Sequence, residues 1–219
     1  MRKHWWKALG VLLVFYAIIA GFLMPVPRLP ILHETIRNLY FHVTMWFSMM
    51  LILTVSVVYS VKYLAGFSTK NDIIASESAT VGVFLGILGV ITGSVWANYT
   101  WGAPWANDTK LNGAAITLLF YFAYFVLRSS VDDEQKKARL SAVYNIFAYV
   151  MLIVFLMVLP RMTDSLHPGN GGNPGFGGYD LDNQMRKVFY PAVFGWCLIG
   201  VWIMSMRVRL KNIELKLNS

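Results

Sequence analysis

The chain holds a single cysteine, Cys197, so it can form neither an internal disulfide nor a thiolate metal cluster. Inside an apolar run, that thiol reads as a small packing residue. Charge is scarce as well, at 14% of 219 residues. The apolar runs are almost free of it, which argues against a transporter whose third and fourth spans line a path, because intramembrane charge is the usual mark of an ion pathway. No small-x-small cleavage site follows the first apolar run. PVPRLP comes next, so the basic start MRKHWWK introduces a retained helix rather than a signal peptide. Gly169, Gly171, Gly172, Gly175, Gly177 and Gly178 lack the spacing and strand–helix context of a dinucleotide fingerprint. They read as an outer loop able to serve as a lid.

What is abundant is apolar surface. Hydrophobic residues make up 57% of the chain and the mean hydropathy is +0.53. These values predict an all-α integral membrane protein in a single membrane domain, residues 1–219. Six apolar runs are long enough to span, at 8–24, 39–61, 79–97, 111–127, 142–159 and 188–206. The net charge of +8 does not indicate nucleic acid: the basic residues sit at run ends, not on an aromatic-interleaved polar surface. Thirteen of the nineteen Lys and Arg residues fall on one side of the bilayer, which predicts both termini in the cytoplasm. The third run carries Gly82, Gly86, Gly89 and Gly93, a small-residue face against which a neighbouring helix can pack closely.

On the predicted outer face lies the segment 96–111, with Trp96, Trp101 and Trp105 followed by Asp108 and Lys110. Three indoles at the mouth of an apolar run form either an interfacial belt or a platform for a large planar ligand. On residue chemistry alone the belt comes first. Pro104 suits the first turn of a helix, which would put Trp105, Asp108 and Asn112 on one face. Asp108 also reads as an N-cap for the fourth span. The same face collects His42, His33 and His167 together with Arg37, Lys110, Arg161, Arg186 and Lys187. Neutral imidazole is an axial ligand for haem iron, indoles cover macrocycle faces, and Arg or Lys pairs with propionates. A histidine near a helix end is more often a hydrogen-bonded interfacial residue than a ligand, and His4 reads as an anchor of that kind.

WGAPWANDTKL resembles the tryptophan-rich WWD signature of the haem-handling proteins of cytochrome c maturation, and YFHV and SLHPG resemble the CcmC branch. The resemblance implies that the outer segment binds haem b and that His42 and His167 are the axial pair. It makes Trp101, Trp105 and Asp108 surviving signature residues and matches Arg37 to a family arginine. Lys110 stands where arginine is usual. Pro104 and Asn107 replace two tryptophans of the signature, and Thr44 replaces a proline, so Trp96, Tyr99 or Phe176 would share in orienting the macrocycle. The implied partners are a periplasmic haem chaperone of the CcmE kind and other maturation subunits of the bacterial inner membrane, including an ABC-type transporter. The expected function is haem presentation by an assembly factor, with no side chain needed as a general base. A membrane haem b electron-transfer subunit is the alternative.

Overall fold

The computed structural model describes residues 4–167, 176 and 181–217. Arg2, Lys3 and the glycines of 169–178 lie outside the described residues. Six long helices account for the apolar runs: α1 (Trp5–Leu23), α2 (Leu39–Gly66), α3 (Thr69–Trp101), α4 (Thr109–Ser129), α5 (Glu134–Ile153) and α6 (Asn183–Leu217). The chain of α5 continues through a π-helical turn, Val154–Val158, into a last α-turn, Leu159–Met162. All six are long and apolar enough to cross a membrane. Most extend well past the apolar runs; α3, for example, starts ten residues before position 79. The Pro-rich connection after α1 also differs from a plain loop. Its second half, His33–Asn38, is a 3-10 helix leading directly into α2.

Glycine decides how the helices meet. Along α3, Gly93, Gly89, Gly86 and Gly82 receive His42, Trp46, Met49 and Leu53 of the antiparallel α2. A Cβ on any of the four would stand 2.5–2.8 Å from the opposing side chain. In lipid, where apolar burial does not drive helices together, such close backbone approach lets packing and hydrogen bonds do so. Elsewhere Gly10 and Gly195 seat α1 against α6, and Gly113 of α4 lies against the carbonyl of Phe155 in the π-turn. A polar tie joins α2, α3 and α5: the Asn145 amide donates to Ser56 Oγ (2.7 Å) and Ser60 Oγ (2.8 Å), and Ser56 donates to Ala75 O. The bidentate Arg128–Asp72 pair, at 2.8 and 2.6 Å, fixes the end of α4 to the start of α3.

Gly102 ends α3 in the left-handed conformation (φ 80°), a C-cap that turns the chain into the 103–108 connection. The next helix does not begin at Pro104 as the sequence suggests. It begins at Thr109, because the Asp108 side chain caps the backbone N–H groups of Lys110 and Leu111. That carboxylate supplies the orphan donors of the first turn with an acceptor, which Pro104 cannot do.

Candidate functional site

A cavity of about 480 Å³ opens where α2, α3, the start of α4 and the end of α5 meet, within the range of small-molecule cofactor sites. Its lining is mostly apolar. His42, Trp46 and Phe47 come from α2, Gly93, Trp96 and Trp101 from α3, and Trp105 from the connection. Lys110, Met157, Arg161, His167 and Phe176 also line it.

The two histidines reach this chamber from different kinds of support. His42 is wedged into the glycine groove, with a Cβ on Gly93 only 2.5 Å from its Cε1. Its Nδ1–H donates to Gly89 O at 2.9 Å, and Trp46 and Trp96 stand edge-on at 6.2 and 5.9 Å between ring centroids. His167 lies on the connection after α5. Its Nδ1–H donates to Asp108 Oδ1 at 3.0 Å and its ring meets Trp101 edge-on at 5.0 Å. With Nδ1 engaged as donor, each neutral imidazole presents Nε2 as its free lone pair, the arrangement that fixes the tautomer of a metal-ligating histidine. Among the described residues no group of three or more His, Cys, Asp or Glu could hold a bare metal ion. Two imidazoles suit an iron whose other ligands are supplied by a macrocycle.

Asp108 is almost fully buried and does not line the chamber. Burial alone would raise its carboxyl pKa. Hydrogen bonds from His167, Ser165 and the Leu166 N–H outweigh that effect and hold it well below the usual carboxylate range. Burial pushes the His167 imidazole below its ordinary value, and the Asp108 bond opposes this without reversing it. At neutral pH the pair is therefore a carboxylate accepting from a neutral imidazole.

Of the residues singled out in the sequence, His42, His167, Trp96, Trp101, Trp105, Lys110, Arg161 and Phe176 converge on the chamber. Trp96 also donates from Nε1 to Thr35 Oγ1 (3.1 Å), and Trp105 donates to Asn112 Oδ1 (3.2 Å). Arg37 is placed elsewhere. Its guanidinium donates to Gly21 O in the last turn of α1 (2.8 Å) and to Met24 O at its C-cap (2.6 Å), and pairs with Glu34. His33 and Tyr99 are not on the lining. Trp46, Phe47 and Met157 line the chamber too and were not singled out in the sequence. Trp46 follows His42 by one helical turn and so shares its face. Met157 and Arg161 owe their placement to the π-turn, which shifts the register of α5 by one residue and leaves no periodic trace in the sequence.

This is a multi-pass helical membrane protein with a cofactor-sized chamber lined by two imidazoles. A profile of the family described as "Heme exporter protein C", CcmC, matches residues 2–219, and the chain belongs to that family. It is 22% identical over 218 residues to heme exporter protein C of Rhodobacter capsulatus, covering 97% of this chain and 88% of that protein. To heme exporter protein C of Paracoccus denitrificans it is 24% identical over 175 residues, 80% of this chain and 72% of that protein. A shorter stretch of 91 residues is 38% identical to the cytochrome c biogenesis protein CcsA of Prochlorococcus marinus. That match spans 42% of this chain and 28% of the CcsA length. Membership of the family assigns the chain to haem handling in cytochrome c maturation.

Proposed function

We propose that the chamber binds haem b between His42 and His167 and presents it to a periplasmic haem chaperone of the CcmE kind. The chain acts in the bacterial inner membrane, with both termini cytoplasmic and the chamber facing the periplasm. One observation carries this reading: two histidines on one apolar chamber, each with Nδ1–H committed to an acceptor and Nε2 left as the ligating atom.

The remaining lining supplies what a haem needs. Trp96, Trp101 and Trp105 offer apolar faces to the macrocycle, and Lys110 and Arg161 supply cations for its propionates. Arg37 acts from outside the chamber by fixing the end of α1 and the 3-10 helix, and the 3-10 helix contributes Ile36 to the wall. Haem brings iron and a reactive vinyl edge as cargo. The protein's part is to hold the iron saturated while the cargo waits, and other maturation subunits, including an ABC-type transporter, would work beside it. The electron-transfer alternative calls for histidines on facing helices buried in the bundle. His167 lies on a connection, which supports delivery instead.

The test is spectroscopic. Purified from membranes, the protein should carry low-spin haem. His42→Ala and His167→Ala should each reduce bound haem and disturb that spectrum, while His33→Ala and His4→Ala leave both unchanged. Full haem retention by the His42/His167 double variant would refute the assignment.

A further inference from the structure

We propose that Asp108 is a positioning residue that makes His167 an axial ligand, so that the two arms of the site are unequal. This rests on reading His42 and His167 as the axial pair. His42 is set by the packing of two long helices, whereas His167 is set by one carboxylate.

Five donors converge on Asp108. Its Oδ1 accepts from Lys110 N (2.9 Å), Leu111 N (3.2 Å) and His167 Nδ1 (3.0 Å). Its Oδ2 accepts from Ser165 Oγ (2.8 Å) and Leu166 N (2.7 Å). A carboxylate offers about four lone-pair sites, so five donors leave no capacity for contact with a ligand. The side chain is 1% exposed and is not part of the chamber lining. One group thus caps α4 and clamps three consecutive residues of the connection, 165–167, against that cap. The family signature implies an aspartate that binds the cofactor. Here the aspartate acts through the histidine.

The chemistry of the two arms differs accordingly. His42 donates to a neutral carbonyl, while His167 donates to a carboxylate, a charge-assisted bond that raises the basicity of Nε2. Without the carboxylate, His167 loses its tautomer, its orientation and the clamp on its own backbone together. His42 loses nothing.

The experiment uses the full chain with its haem, purified from membranes. Asp108→Ser keeps a favoured N-cap but is too short to reach Ser165 or His167. It should keep a reduced amount of haem, held on His42, and lose the low-spin bands, and added imidazole should restore them. His167→Gly should behave the same way, and combining it with Asp108→Ser should change nothing further, since the two act on one ligand. In a His42→Ala background, Asp108→Ser should lower haem occupancy by a further ~10- to 100-fold, the usual effect of removing the partner of a ligating histidine. An unaltered low-spin spectrum in Asp108→Ser overturns the proposal. So does a double variant with less haem than His167→Gly alone, which would mean that Asp108 acts through general structure. Should Asp108→Ser fail to accumulate, Asp108→Thr, the other short N-cap, serves in its place. A wild-type spectrum in Asp108→Thr overturns the proposal equally. Wild-type haem that is not low-spin overturns the axial-pair reading itself, and this inference with it.

Discussion

Gly93→Ala tests whether the glycine groove aims His42. The new methyl would stand 2.5 Å from His42 Cε1 and 3.0 Å from Nδ1, where ordinary contact begins at 3.4 Å. The imidazole must retreat by about 1 Å, because overlaps of this size are not absorbed in a close-packed interface. That shift breaks the 2.9 Å bond to Gly89 O and re-aims Nε2. The effect on folding is smaller. Replacing a mid-helix glycine gains about 1 kcal/mol in helix propensity, against about 1–3 kcal/mol for overpacking. Membrane abundance should therefore fall little, while haem per protein falls about tenfold or more, as when a ligating histidine loses its partner. Gly82→Ala is the matched control. Its Cβ meets Leu53 Cδ2 at the same 2.5 Å, about 16 Å further along α3 and away from the chamber. It should leave haem per molecule unchanged. The assay is haem content and low-spin absorbance per quantified protein, on both variants side by side. A Gly93→Ala protein with wild-type haem and spectrum would show that the groove packs the helices without aiming the ligand.

Two further predictions concern the indoles and the topology. Trp101→Ala combined with Trp105→Ala should lose haem or its delivery to the chaperone at normal membrane abundance, several-fold per residue at about a kcal/mol of stacking each. Trp196→Ala with Trp202→Ala, in α6, should keep delivery; if the 101/105 pair lowers protein level at constant haem per molecule, those indoles are only an interfacial belt. Reporter fusions at Thr100 and Gly171 should read outside and a fusion at Asp132 inside, and an inside signal at Gly171 would separate His167 from the face that carries Trp101.

Much of this architecture was legible because it follows from periodicity and size. Six apolar runs become six long helices, and the glycines of the third run do admit a neighbour, α2. What was not legible depends on which donor a side chain finds. Asp108 reads from the sequence either as a cap or as a signature residue. The fold makes it a cap and a clamp together, because 165–167 returns to the same carboxylate, a contact no local pattern announces. Pro104 suggests a helix start on φ preference alone, and the capping acceptor four residues later prevails. Arg37 looks like a cation for an anionic ligand, yet the open carbonyls at the end of α1 claim it. Arg161 and Met157 reach the chamber through a register shift in α5 that hydropathy cannot reveal.

The clamp at Asp108 also imposes an order on biogenesis. The His42 half of the chamber can form as soon as α3 has paired with α2, since Gly89 and Gly93 are all it requires. The other half waits. Three of the five donors to Asp108 are made 57, 58 and 59 positions after it, beyond the whole of α5. At about 5–20 residues per second of synthesis, 59 positions take roughly 3–12 s. Through that interval a nascent chain has one imidazole in place and an open chamber, and it cannot saturate an iron. Under the proposed axial pair, competence to retain haem would arrive only once the fifth helix has been threaded, and an incompletely inserted chain would be kept from sequestering it.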